Sequence, residues 1–209
     1  MKNWDILLIG GNSGTGKTTL GRQLSLHYQT PLIELDDIRL AMQEVACPHE
    51  NENLFLFLKG DEKFFAQSPE VLADRLIAVG EGVWPGLKAV LENHLVGNRH
   101  PVIIEGDGII PSLIKSSAFE NLRAVFLHDE QETLEARERE RVKEGHQRGA
   151  KINGRPKDPK EFDTWVTRYT SVSYYFGQKI KEQAMQREFI TLQSSPIETL
   201  FYRVVKELA

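Results

Sequence analysis

An α/β fold is predicted for this chain, with a five-stranded parallel sheet held between two helical layers in a single domain spanning residues 1–209. Three observations predict it. Short, largely apolar runs bounded by loop or polar residues alternate with helical stretches, no internal repeat interrupts the alternation, and the first run ends in a glycine-rich turn that opens a helix. Ligands of such sheets bind at the carboxyl ends of the strands. A helical insertion over residues 50–97 and a charged stretch over residues 137–160 interrupt the core.

Residues 4–10 form a first strand that runs into glycine, and residues 18–29 follow as a helix with Leu20, Leu24 and Tyr28 at helical spacing. A second short run, 31–35, ends at Asp36-Asp37, after which Ile38, Leu40, Ala41 and Val45 suit a helix. In the insertion, Ser68-Pro69 supplies an N-cap and a first helical residue, and Pro85 is expected to break or kink the helix. Residues 101–105 and 122–127 are the third and fourth buried strands. Asp129 is suited to cap the next helix, which is expected to reach about residue 144 and to give way to a mobile loop over 145–159, rich in glycine and proline. Phe162, Trp165, Tyr169, Val172, Phe176 and Ile180 mark one face of a long helix and are assigned to packing. Residues 188–192 make the fifth strand. Ser195-Pro196-Ile197-Glu198 has capping-box spacing ahead of a closing helix with Ile197, Leu200, Phe201, Val204, Val205 and Leu208 on its apolar stripe.

Composition narrows the function classes. Hydrophobic residues at 40% and charged residues at 27% are ordinary globular usage, which speaks against disorder. The apolar runs are far shorter than the roughly 20 residues that span a bilayer, so no membrane partner is expected. Cys47 is the single cysteine, so no intrachain disulfide forms, and the N-terminus shows no signal-peptide pattern; the cytoplasm is the expected location. A net charge of −4 disfavours nucleic acid as a partner. The positive charge is concentrated: residues 137–160 hold nine Lys/Arg and four Asp/Glu, a net +5 against −9 for the remainder.

Gly11-Asn12-Ser13-Gly14-Thr15-Gly16-Lys17-Thr18 fits G-x-x-x-x-G-K-[ST] at every fixed position, with a strand before it and a helix after it. The glycines allow a tight turn in which successive N–H groups and the helix N-terminus, reaching to Thr19, face phosphate. Lys17 brings a point charge to the β/γ oxygens and Thr18 a hydroxyl for Mg²⁺. ATP and Mg²⁺ are therefore the expected cofactors. A bare strand-to-helix turn is the competing reading, and the completeness of the motif speaks against it. The chain has no Asn-Lys-x-Asp guanine reader, which disfavours a GTPase.

The phosphate loop, the string Leu35-Asp36-Asp37-Ile38-Arg39 after the second strand and the string Val102-Ile103-Ile104-Glu105-Gly106 at the third resemble those of the small P-loop metabolite kinases, among them adenylate, shikimate, gluconate and 2-phosphoglycerate kinases. The resemblance covers nearly the whole chain and implies a P-loop NTPase fold with transfer of the γ-phosphoryl group of ATP to a small hydroxyl-bearing substrate. It implies that Asp36 contacts the acceptor hydroxyl as its base, as in the D-D-x-R string of polynucleotide 5′-kinases. Asp37 is left to the helix N-terminus or a metal-bound water, and Arg39 to an anionic substrate group. Helix capping is the plainer role for either aspartate. The string 104–111 is similar to the E-G-x-H-x-x-P pattern of 2-phosphoglycerate kinase, with Gly108 where that pattern has histidine; Glu105 or Asp107 would serve the Mg²⁺ shell or the acceptor.

Arg137 and Arg141, four apart on one helix face, together with Arg148 and Arg155 beyond it, are assigned by the same resemblance to a lid that stabilises charge on the transferring group. A solvated Arg/Glu surface is the alternative. Two rival functions remain at this level: an ATP-sensing module without turnover, which needs no carboxylate at position 36, and a nucleic-acid 5′-kinase, which the net charge disfavours. Acceptor identity and oligomeric state are not legible.

Overall fold

The computed structural model describes residues 3–57, 66–96, 100–114, 121–147 and 158–209. Strands β1 (Ile6–Gly11), β2 (Leu32–Glu34), β3 (Val102–Glu105), β4 (Leu122–His128) and β5 (Ile190–Gln193) form one five-stranded sheet in the order β2-β3-β1-β4-β5, every pairing parallel. All of β1 is buried, which is why it carries an apolar run without alternation. Its side chains still divide between faces by the period of two. Ile6 and Leu8 join Val102, Ile104, Ala124 and Phe126 in one core, while Leu7 and Ile9 join Ile103, Val125 and Leu127 in the other. Leu8 is fully buried between Ile104 and Ala124, so Leu8→Ala should cost about 2–5 kcal/mol.

Helices α1 (Lys17–Tyr28) and α6 (Ile197–Glu207) cover the second core through Leu20, Leu24, Leu200 and Val204. Helices α2 (Leu35–Val45), α3 (Pro69–Val96) and α5 (Pro159–Gln186) cover the first, through Leu35, Leu87, Leu91, Phe176 and Ile180 among others. Helix α4 (Gln131–Gln147) packs along α5. The chain fills β2 and β3 on one side of β1, then β4 and β5 on the other. The carboxyl end of β1 therefore faces a crevice where the strand order reverses, the place where open α/β sheets bind ligands.

The three-layer fold agrees with the sequence reading, and several local expectations need correction. The inward face of α2 is Leu35, Ile38 and Met42, which pack on the first core, whereas Leu40 and Val45 are exposed. Asp36 and Asp37 sit in its first turn. The break at Pro85 is absent: α3 runs through it, packed on α2 and on a 3₁₀ turn over Glu52–Phe55, and Asn51 Nδ2 donates to the Gly82 carbonyl one turn before the proline. Ser68 does cap α3, accepting from Val71 N–H through its hydroxyl and from Leu72 N–H through its carbonyl. The capping box at 195–198 does not form. Pro196 is the N-cap of α6 without a side-chain bond, and the Ser195 hydroxyl donates instead to Asp129. Helix α4 extends to Gln147, past the expected end, and Arg148 and Arg155 lie outside the described residues, as does part of the 50–97 insertion.

Candidate active site

The phosphate loop leaves β1 and enters α1 through three glycines with left-handed backbone, Gly11 (φ 124°), Gly14 (φ 86°) and Gly16 (φ 82°). At Gly16 the requirement is double: the backbone favours glycine, and a Cβ there would lie 2.7 Å from Ile197 Cδ1. Gly16 caps α1 with no side-chain acceptor, and the first turn carries no acidic residue. The free amides and positive end of the helix dipole are thus left for an anion.

Lys17 is 7% exposed; its Nζ donates to Asn12 O at 2.9 Å and pairs with Asp107 Oδ1 at 2.5 Å. Thr15 Oγ1 donates to the same Asn12 carbonyl at 2.8 Å. Thr18 Oγ1 donates to Glu105 Oε1 at 2.8 Å, at the carboxyl end of β3. Burial pushes the Glu105 carboxyl above its ordinary range, against the hydrogen bond from Thr18 and the charge of Lys17. Among the described residues no three His, Cys, Asp or Glu side chains cluster as a self-sufficient metal site. The Thr18–Glu105 oxygens instead fit Mg²⁺, a cation that keeps several waters and takes few protein ligands beside phosphate oxygens.

A cavity of about 390 Å³ opens over this loop. Its lining brings Ser13, Gly14, Gly16, Lys17, Thr18 and Thr19 of the loop together with Asp36, Glu105 and Asp107 and with Arg137 and Arg141. Asp36 comes from α2 and is held above the usual carboxylate range, first by burial and then by the charge of Asp107, with Arg39 and Lys17 opposing. Asp37, one residue on, is exposed as Asp36 is but, unlike it, does not line the cavity. Arg39 lines an adjoining pocket, where its Nη2 donates to Leu56 O at 3.2 Å. Arg141 pairs with Glu138 at 2.6 Å and also meets the Tyr169 hydroxyl. Arg137 is anchored more firmly: it donates to Gly14 O at 3.0 Å, Ser194 Oγ at 2.8 Å and Ser195 Oγ at 2.9 Å, and pairs with Asp129 at 3.0 Å.

Two sets of residues around the site escaped the sequence reading. The first is Asp129, read only as a helix cap. It is fully buried in its side chain and is the common acceptor of Ser194, Ser195 and Gln193. The second lies on α5. The Tyr169 and Ser13 hydroxyls are 2.8 Å apart, Asn12 Nδ2 donates to Ser173 Oγ at 3.2 Å, and Ser173 Oγ donates to Ser13 O at 2.9 Å. Gly177 admits the Asn12 amide so closely that a Cβ there would lie 2.6 Å from Asn12 Oδ1. Tyr169, assigned to packing with the aromatic face of the helix, instead carries its hydroxyl to the loop, and Ser173 and Gly177 follow it at four-residue spacing. That spacing was the available signal.

No family model matches the chain. The 2-phosphoglycerate kinase of Methanocaldococcus jannaschii is 30% identical over 135 residues, which cover 58% of this chain and 40% of that protein, so the chain spans well under two thirds of its relative's length. Among solved structures, a gluconokinase from Sinorhizobium meliloti 1021 superposes with a TM-score of 0.52 at 17% identity, covering 99% of this chain and 91% of that one. Shikimate kinase from Bacteroides thetaiotaomicron does so with a TM-score of 0.50 at 18% identity, covering 97% of each chain. With its parallel sheet, its complete phosphate loop and these likenesses over nearly the full length, the chain has the P-loop fold that such small kinases share.

Proposed function

We propose that the protein is an ATP- and Mg²⁺-dependent phosphotransferase that acts on a hydroxyl group of a small metabolite. The observation that carries the reading is the presence of Asp36 on the same cavity as Lys17 and Thr18, since a module that only binds ATP has no use for a carboxylate beside its phosphate loop. The likeness to a 2-phosphoglycerate kinase over part of its length supports the same class of reaction.

In this reading the loop amides, the N-terminus of α1 and Lys17 bind the phosphates, with Lys17 exchanging Asp107 for a phosphate oxygen. Thr18 and Glu105 would hold Mg²⁺, which when bound would offset charge on the phosphate oxygens. Asp36 accepts the proton of the acceptor hydroxyl while that oxygen bonds to the γ-phosphorus. The bond from this phosphorus to the β–γ bridging oxygen breaks, and ADP leaves with its electron pair. The raised pKa of Asp36 makes it a better proton acceptor than an ordinary aspartate. Arg137, held against the phosphate loop through Gly14, and Arg141 supply positive charge to the same cavity. A cytoplasmic setting accords with a lone exposed cysteine, Cys47, and no helix among the described residues is long and apolar enough to cross a membrane.

The test is coupled ADP release by the purified protein with Mg²⁺ and ATP against a panel of hydroxyl metabolites. Acceptor-dependent release supports the reading. Tight ATP binding with no stimulation by any acceptor would identify a nucleotide-sensing module instead.

A further inference from the structure

Two peptide units of the phosphate loop flank Gly14, a left-handed residue (φ 86°) of the type with the greatest conformational freedom. Each unit is held from outside the loop by a side chain of a different helix. The carbonyl of the first, Ser13 O, accepts from Ser173 Oγ of α5 at 2.9 Å. The carbonyl of the second, Gly14 O, accepts from Arg137 Nη1 of α4 at 3.0 Å. Both donors are themselves fixed. Ser173 is buried and its hydroxyl oxygen accepts from Asn12 Nδ2, while Arg137 is paired with the buried Asp129 carboxylate, which also accepts from Ser194 and Ser195.

A trans peptide is planar with its C=O and N–H on opposite sides, so a carbonyl that is held fixes the direction of the next residue's N–H. Both units are trans, the one cis bond among the described residues being Ser195-Pro196. The Gly14 amide therefore points away from Ser173 and the Thr15 amide away from Arg137. Among the described residues neither amide donates to a backbone carbonyl. Without the two anchors, the freedom of Gly14 would let either amide turn away, and that freedom would have to be lost each time an anion bound.

We infer that Ser173, and Asp129 acting through Arg137, are positioning residues: they hold the carbonyls of Ser13 and Gly14 turned outward and so keep the Gly14 and Thr15 amides aimed at the nucleotide phosphates before nucleotide arrives. Neither Ser173 nor Asp129 lines the phosphate cavity, so both act through the loop and not on the ligand. The inference rests on the nucleotide-binding half of the proposed function and needs no acceptor. Donors aimed in advance require no reorganisation when charge arrives. The effect belongs to the phosphates, so it extends to any ligand that carries them, with or without a base.

The experiment uses the full chain and two ligands, each with Mg²⁺: a non-hydrolysable ATP analogue, and inorganic tripolyphosphate, which has the phosphates and no nucleoside. Calorimetric titration is made on Ser173→Ala and Asp129→Asn, each shown by melting to be folded at the temperature used. Kd should rise about 2- to 10-fold for both ligands alike, the worth of one ordinary hydrogen bond. Amide nitrogen NMR of the ligand-free proteins gives a signature that a loss of packing alone would not. Resonance joins each peptide nitrogen to the carbonyl before it, so Ser173→Ala should displace chiefly the Gly14 nitrogen and Asp129→Asn chiefly that of Thr15. If Asp129→Asn unfolds, Ser195→Ala takes its place, since it removes one contact of Arg137 and one of Asp129. Wild-type affinity for tripolyphosphate in both variants, or losses confined to the ATP analogue, would overturn the inference and leave the phosphotransferase reading standing. A wild-type protein that binds neither ligand would overturn that reading and this inference with it.

Discussion

Asp129 Oδ2 stands 3.0 Å from Arg137 Nη1, a pairing that joins the end of β4 to the first turns of α4. The same oxygen accepts from Ser194 at 2.6 Å and Ser195 at 2.7 Å, while Arg137 reaches the Gly14 carbonyl. One buried carboxylate thus ties the loop after β5 to the phosphate loop through a single guanidinium.

Removing that charge should destabilise the fold in a pH-dependent way. Burial alone would raise the Asp129 pKa, but hydrogen bonds from Ser194, Ser195 and Gln193 and the charge of Arg137 outweigh it and hold the carboxyl below its usual range. A depressed folded pKa contributes stability that is present above the unfolded value, near ~4, and is lost as pH falls through the folded one. Asp129→Asn should cost about 3 kcal/mol at neutral pH by leaving Arg137 without its buried partner. In melting temperature this is about 6–12 °C. The deficit should shrink below pH ~4. Thermal melts of both proteins from acid to neutral pH measure it, and a deficit independent of pH would argue against the ion pair.

Lys17→Ala should abolish phosphoryl transfer while changing the melting temperature of the nucleotide-free protein little. Its ion-pair partner Asp107 is half exposed, so losing the pair returns that carboxylate to water rather than stranding it. Steady-state ADP release beside a melt checks both halves, and turnover near the wild-type rate would remove the loop from the chemistry.

Asp36→Asn should lower kcat by about 10²–10⁴-fold and leave ATP affinity nearly unchanged, since Lys17, Thr18 and the loop amides remain. Asp37→Asn, at an exposed position off the cavity, should have the smaller kinetic effect. The acidic limb of the wild-type rate profile should lie above the ordinary aspartate range. Asp107→Asn should move it down and Arg39→Gln up, because Asp107 raises and Arg39 lowers the Asp36 pKa. Shifts of opposite sign would assign the limb to another group.

Tyr169→Phe should weaken binding of a non-hydrolysable ATP analogue about 2- to 10-fold, the worth of one ordinary hydrogen bond, by freeing the Ser13 side chain. Phe162→Leu, on the same helix and joined to Tyr169 only through the ring of Trp165, removes no hydroxyl and should leave affinity unchanged. Calorimetric titration of the two variants separates them; equal losses would mean that the helix, not the hydroxyl, holds the loop.

The amino-acid sequence by itself determined the parallel α/β architecture, the strand-turn-helix of the phosphate loop with Lys17 and Thr18 at the start of its helix, and the positions of Asp36, Glu105 and Asp107 at or just after strand ends. These features are local: buried strands read as apolar runs, glycines mark the left-handed turns at Gly11, Gly14 and Gly16, and carboxylates directly after strands fall at the ligand edge. The helix phase of α2, the continuity of α3 through Pro85, the buried partners of Asp129 and the grip of α5 on the loop were decided only by tertiary structure. Each depends on contacts between residues far apart in the chain, such as Ser13 with Tyr169 and Asp129 with Ser194. Local propensity made Asp129 and Ser195 helix caps, because a short polar side chain before a helix satisfies its first amides when nothing better is near. In the folded chain something better is near: Arg137 and the hydroxyls of Ser194 and Ser195 surround Asp129, and a buried carboxylate gains more from those donors than a helix end gains from a cap.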